Sequence, residues 1–285
     1  MNKESRESFI TIKPQDEVIA QHVAYYYFHD SENEDYYENI IYHPHYYVPL
    51  NVYKNVKVIW DEHSRTYVPT DSEELSIILT IKNKTSKEVR LRGAFSKVGI
   101  IFNPLGINHF IEAPLRDTVS DIRVSSYEHF EESFNALMAK IYDEPDCSIK
   151  RDLLDAYFLS RYRPFHDSRL KHAVKLIMES PKMYKTQELA DELKISRETL
   201  LRLFKKHLCF SVEEFKSVVK FRRALAYYEE AIEKPKLTEV ALETEYYDQS
   251  DFINHFKAVT GFNPKSFFAN IKTIGMNGPY WTFED

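Results

Sequence analysis

Cysteine and glycine are scarce in this 285-residue chain, and long apolar runs are missing. The two cysteines, Cys147 and Cys209, stand far apart, which excludes a disulfide framework and a cysteine-based zinc site and fits a reducing compartment. Six glycines and twelve prolines exclude a collagen-like or low-complexity chain. No window approaches 18 uninterrupted apolar residues, so no membrane-spanning helix is expected. The charged start, Met1 to Ser8, leads into no apolar stretch of signal-peptide length. The sequence also lacks a glycine-rich phosphate loop, a Walker motif and a Ser/His/Asp order, so no catalytic residue and no cofactor are assigned. The expectation is a cytoplasmic protein with no membrane partner.

What is present describes a folded chain: 43% hydrophobic and 29% charged residues. Its length exceeds the roughly 100 to 200 residues of a usual domain, which points to two domains. The net charge of −6 would argue against a nucleic-acid partner, but it hides a split. Residues 1–166 carry −7 and residues 167–272 carry +3. Within the latter, residues 194–223 concentrate Lys194, Arg197, Arg202, Lys205, Lys206, Lys216, Lys220, Arg222 and Arg223 against three glutamates, a local +6.

The hydrophobic period changes along the chain. Through residues 1–124, short runs rich in Val, Ile, Tyr and Phe alternate with polar turns: His22 to Phe28, Asn39 to Tyr47, Asn55 to Trp60, Leu75 to Lys82, Glu88 to Leu91 and Lys97 to Phe102. Many short strands predict a barrel or sandwich. Residues 125–166 shift to helical spacing, with Phe130, Phe134, Leu137, Met138 and Ile141 on one helix and Leu153, Leu154, Tyr157, Phe158 and Tyr162 on a second. This helical connection either dimerises or covers the β domain.

Residues 167–272 contain a repeat. Glu188-Leu189-Ala190 returns as Glu239-Val240-Ala241, and the spacing of Leu200, Phe204 and Lys205 returns as Phe252, Phe256 and Lys257. The offset is 51 residues before an inner turn and 52 after it. Each copy reads as a short helix, a tight turn and a second helix opening on a polar cap, which is the pattern of a helix-turn-helix. A long helix from Val212 to Glu230 would set the two copies roughly 30 Å apart, near one turn of B-DNA.

These stretches resemble the DNA-binding domain of the AraC/XylS family of transcription regulators: Ile195 to Lys206, Phe221-Arg222-Arg223-Ala224, Ala241-Leu242-Glu243, Asp248 to Lys257, and Gly261-Phe262-Asn263-Pro264. The N-terminal half is similar, more weakly, to the cupin-like sensor domains found ahead of this module. The resemblance implies an α+β architecture: a sensor domain over 1–124, the connection 125–166, a double helix-turn-helix domain over 167–272 and a tail over 273–285. Its implied partners are double-stranded promoter or operator DNA, a small-molecule effector, RNA polymerase and a second copy of the chain. The sequence departs from the family pattern at Glu245, where a Gly is usual, at Asn254, where an Arg is usual, and at Cys209 and Val212, where Gly and Pro are preferred.

On the first recognition helix, Leu200, Leu203, Phe204 and Leu208 form the core stripe, leaving Arg197, Glu198, Leu201, Arg202, Lys205 and Lys206 to face DNA. Arg202 suits a bidentate contact to guanine, Glu198 a contact to cytosine, and Leu201 a thymine methyl. From the second copy, Gln249, Ser250, Asn254 and Lys257 are the candidates, although residues 237–261 carry a net −4. In the β-rich half the candidates for ligand binding are Tyr25, Tyr27, His43, His45, Tyr47, Trp60, Phe102 and His109, with Gly99 to Phe110 as a rim. His43-Pro44-His45 with His109 also admits a metal-dependent cupin-type enzyme fused to a DNA anchor, because two His separated by one residue share a strand face. A third reading is a ligand-independent dimeric regulator.

Overall fold

Alternating β-branched and aromatic residues build two facing sheets in the N-terminal half. In a computed structural model, which describes residues 7–61, 64–82, 85–121, 124–127, 129–270 and 281–283, one sheet has the order β1-β2-β9-β4-β7-β10. Its strands are β1 (Glu7–Ile12), β2 (Val23–Ser31), β4 (Val48–Lys54), β7 (Ser76–Thr80), β9 (Phe95–Phe102) and β10 (Val124–Ser126), all paired antiparallel. The second has the order β11-β3-β8-β6-β5, from β3 (Tyr37–Tyr42), β5 (Val56–Trp60), β6 (Ser64–Pro69), β8 (Lys87–Arg92) and β11 (Trp281–Phe283), with β6 and β8 parallel. Tyr53, Tyr67, Ile78, Val89 and Phe95 from both sheets pack between them. The expected run from Asn39 to Tyr47 ends as a strand at Tyr42, because Pro44 lacks the N–H a ladder needs. His43 and His45 therefore sit in a loop and do not share a strand face.

One close approach inside the first sheet constrains the sequence. Gly99 pairs with Tyr27, and a Cβ at Gly99 would lie 2.0 Å from the Tyr27 ring. Gly99→Ala should lower stability by about 1 to 3 kcal/mol through overpacking. Urea denaturation checks this, and an unchanged midpoint would mean that the Tyr27 ring yields freely.

The helical connection, α2 (Glu131–Asp143) and α3 (Cys147–Ser160), lies against the β domain. Phe134, Leu137, Met138, Ile141, Leu154 and Phe158 join one cluster with Tyr26, Leu50, Val98 and Phe102. Buried Asp155 fixes the docking: its carboxylate accepts from the backbone N–H of Gln15 (2.7 Å) and Asp16 (2.9 Å), just before α1 (Glu17–Ala20), and from the Tyr26 hydroxyl (2.7 Å). The apolar faces of α2 and α3 are consumed within one chain. Outside them, Ile149 and Leu159 of α3 remain exposed.

The C-terminal half is helical: α4 (Ser168–Glu179), α5 (Thr186–Glu192), α6 (Arg197–His207), α7 (Val212–Glu230), α8 (Leu237–Glu243), α9 (Gln249–Thr260) and α10 (Pro264–Asn270). It has two small cores joined by α7, which gives Phe215, Val218 and Val219 to the first and Phe221, Ala224 and Leu225 to the second. A connector buried at both ends is rigid, and 19 residues at 1.5 Å each span about 28 Å.

The two halves are in direct contact. Arg222 of α7, 5% exposed, donates to the carbonyls of Pro44 (2.6 Å) and His43 (3.0 Å). Lys82 pairs with Glu214 at 2.6 Å, and the Ser86 N–H donates to the Val259 carbonyl at 2.9 Å. Asn108 Nδ2 donates to the carbonyl of His207, at the C-terminal end of α6, at 2.9 Å. Part of the expected ligand rim thus anchors the C-terminal end of α6.

Candidate nucleic-acid interface

The repeat read from sequence is a repeat of backbone geometry. At the inner turn, Lys194 and Glu245 occupy equivalent positions with φ of 53° and 62°. The next residue in each copy closes the turn, Ile195 donating to the Ala190 carbonyl (3.1 Å) and Tyr246 to that of Ala241 (2.9 Å). After the second helix, Cys209 (φ 60°) matches Gly261 (φ 81°). Left-handed backbone favours glycine, so three of these four positions carry a strain of about 1 to 2 kcal/mol each. Glu188 and Glu239 cap the first helices by accepting from the N–H groups of Lys185 and Lys236, both at 3.0 Å. Ser196 and Asp248 cap the second helices by accepting from Thr199 (3.1 Å) and Asp251 (2.8 Å). The residue that lengthens the second turn is Tyr247, which is 94% exposed.

Glu245 has a role that explains a charged residue at a strained turn. Its carboxylate accepts from the Met183 N–H, in the segment between α4 and α5, and lies 4.0 Å from Arg223. It ties the turn of the second unit to the first.

The side chains of α6 divide as its wheel predicts. Leu200, Leu203, Phe204 and Leu208 are buried, Leu201 is half-buried, and Arg197, Glu198, Arg202, Lys205 and Lys206 are exposed. Gln249, Ser250, Asn254 and Lys257 are exposed on α9. The basic patch over 194–223 is smaller than its sequence suggests. Arg222 and Arg223 donate to carbonyls, the latter to Ile177, Met178 and Ser180. Lys216 pairs with Glu213 at 3.0 Å, and Lys220 lies 3.6 Å from Asp251 and over the Tyr246 ring. Lys194, Arg197, Arg202, Lys205 and Lys206 remain as outward cations of this stretch.

Glu198, Leu201, Arg202, Lys205 and Lys206 line one cleft of about 1000 Å³. Its other wall belongs to the β domain, with Lys82 after β7 and Arg116 and Asp117 in a 3-10 turn (Leu115–Thr118). Sequence reasoning missed Arg116 and Lys82 here, since no local pattern brings residues 82 and 116 beside residue 202.

The ligand candidates do not converge on one site. Tyr27 borders a small internal cavity between the sheets, whereas Tyr25 and Tyr47 line a separate pocket with Thr11 and Asn103. Trp60 is on the edge strand β5, 45% exposed, and Phe102 is fully buried in the core. His43 packs on Phe267, and His45 stacks on Tyr47. His109 stacks on His22 with ring centres 3.7 Å apart, and burial holds their pKa values down at about 3 and about 4, so both rings are neutral near pH 7. Among the described residues no three His, Cys, Asp or Glu side chains gather as a metal site.

Residues 189–270 match a family model described as a helix-turn-helix domain. This part of the chain is an AraC-type domain. A comparison with curated proteins finds no match. Among solved structures, ToxT from Vibrio cholerae is 11% identical, with 94% of this chain and 98% of that one covered and a TM-score of 0.42. ToxT from strain SCE256 with a bound unsaturated fatty acid is 12% identical, with 94% and 96% covered and a TM-score of 0.41. A DNA-binding transcriptional dual regulator from Escherichia coli K-12 is 21% identical over 37% of this chain and 96% of that one, with a TM-score of 0.29. The AraC-type domain accounts for both helix-turn-helix units, with α7 between them.

Proposed function

We propose that the protein is a cytoplasmic, sequence-specific regulator of transcription, without enzymatic activity, that reads double-stranded DNA chiefly through α6 and takes a small-molecule effector in its β domain. The observation that carries this reading is the α6 face itself: Arg197, Glu198, Arg202, Lys205 and Lys206 project outward from a helix whose other side is locked in a core. Arg202 can contact the two acceptors of guanine, while Lys205 and Lys206 meet phosphates. The second unit has less attraction for phosphate, and Gln249, Ser250, Asn254 and Lys257 add a few hydrogen bonds or leave that face to RNA polymerase. Homodimers would form outside the buried faces of α2 and α3, and exposed Ile149 and Leu159 supply one surface for this.

Binding titrations on a selected operator and on random duplex test the assignment. Arg202→Ala should cost about 1 to 3 kcal/mol on the operator and little on random DNA, whereas Lys205→Ala should weaken both alike. Equal losses for Arg202→Ala on the two duplexes would remove it from base reading. Footprinting should show strong protection at one major groove and weaker protection one turn away, and equal protection would refute the asymmetry between the units.

A further inference from the structure

We propose that two copies of this chain pair through the outer edge of β5, as an antiparallel ladder in which Lys57 of each copy faces Asp61 of the other and Ile59 sits on the twofold axis. This rests on the reading of the regulator as a homodimer and names the surface, apart from Ile149 and Leu159 of α3. Among the described residues β5 pairs on one side only, with β6, and so ends its sheet. The other sheet ends are shorter or covered: β10 and β11 have three residues each, and β1 lies against α3. β5 has five residues, of which Ile59 and Trp60 are 51% and 45% exposed. An edge with unpaired backbone and bare apolar side chains is a template for another strand.

The inner neighbour fixes the backbone phase of this edge. The Asp61 N–H donates to the Ser64 carbonyl at 3.1 Å and the Thr70 N–H to the Asn55 carbonyl at 2.9 Å, so the odd-numbered residues of β5 turn their N–H and C=O groups toward β6. Val56, Val58 and Trp60 turn theirs outward. The Val56 carbonyl is taken by the Ser76 hydroxyl at 2.5 Å, which leaves the backbone groups of Val58 and Trp60 as the open run. A groove of about 530 Å³ lies along them, with residues 74–78 on its far side. It gives room to a strand at the usual spacing of about 4.8 Å.

The same alternation selects the register between two such edges. With Val58 opposite Val58, Lys57 faces Ile59, and Val56, whose carbonyl is occupied, must pair with Trp60. With Trp60 opposite Trp60, Ile59 faces Asp61. With Val58 opposite Trp60, both pairs exchange their N–H and C=O groups, Ile59 meets Ile59, and Lys57 meets Asp61 on either side of it. These last contacts fall at the positions between hydrogen-bonded pairs, where Cα atoms are about 4.5 Å apart and side chains are closest. Lys57, Ile59 and Asp61 are all exposed in the single chain, and Asp61 also lies in the field of Arg90, whose fork is filled by Glu88 at 2.6 and 2.8 Å. On the opposite face Trp60 covers Val58 of the second copy, extending the core between the sheets to which Val56 and Val58 belong. The edge is thus complementary to itself in charge, backbone phase and apolar contact, which is what a second copy supplies.

Sedimentation equilibrium of the full chain over the micromolar range tests the pairing, with circular dichroism to show that each variant is folded. The expected result is a dimer whose dissociation constant rises about tenfold or more in Lys57→Asp, because one reversal turns two attractive cross-strand pairs repulsive. Ile59→Asp should weaken it likewise by setting two carboxylates against each other on the axis. Combining Lys57→Asp with Asp61→Lys should restore the parent's dissociation constant, a rescue that damage to the single chain would not give. A double variant as weak as Lys57→Asp overturns the facing of Lys57 and Asp61. A dimer unchanged by Lys57→Asp and Ile59→Asp but lost in Leu159→Asp overturns the β5 contact and keeps the homodimer reading. A chain that stays monomeric throughout the range overturns both.

Discussion

Replacing Arg222 by alanine should lower global stability by about 3 to 5 kcal/mol, the range for removing one partner from a buried, charge-assisted cluster. Its guanidinium donates to the carbonyls of Pro44 and His43 at 2.6 and 3.0 Å in a site that is 5% exposed. Without it these carbonyls, which Pro44 keeps out of any strand ladder, lose charge-assisted bonds in a place water reaches poorly. Arg222→Lys should recover only part of the loss, because one ammonium cannot reproduce the planar fork that spans two acceptors. Urea denaturation gives the number. A midpoint unchanged in Arg222→Ala would mean that the contact between the AraC-type domain and the β domain contributes nothing to stability.

Raising salt from 50 to 200 mM should weaken DNA binding about 150-fold per chain, with a slope of about −3.6 in log K against log salt. This follows from four outward cations left for phosphates once Arg202 is spent on a base, Lys194, Arg197, Lys205 and Lys206, each releasing about 0.9 counterion. The eight basic residues of the 194–223 stretch other than Arg202 would give a slope near −7 and a loss of about 10⁴-fold. The difference is easily measured by fluorescence anisotropy. A slope near −7 would show that Lys216, Lys220, Arg222 and Arg223 leave their intramolecular partners on binding.

The cleft beside α6 bears on how such a regulator could be controlled. Arg116 brings positive charge to its β-domain wall and Asp117 negative charge, while Lys82 is paired with Glu214, so small shifts between the domains would change the field at Arg202. Asn108 holds the far end of the same helix at His207. Whatever moves Asn108 or the 3-10 turn Leu115–Thr118 therefore acts on α6 without passing through the rest of the helical domain.

By itself the sequence determined the helical repeat. Its units are short and local, and each position that defines them, a cap, a left-handed turn or an apolar residue at i, i+3, i+4, is set by neighbours within one or two helical turns. That is why the cap Ser196, the helix start at Gln249, the helix Val212 to Glu230 and the outward face of α6 could be read directly. Strands β1, β4, β6, β10 and β11 were not read, because their pairing depends on partners tens of residues away and aromatic clusters hide the alternation. Only the tertiary structure decided which cations are free to meet DNA, since Arg222 and Lys216 look alike in sequence until a carbonyl or a carboxylate is folded beside them. It alone placed residues 82 and 116 beside residue 202. Long-range proximity is fixed by the packing of whole faces, and no local spacing encodes it.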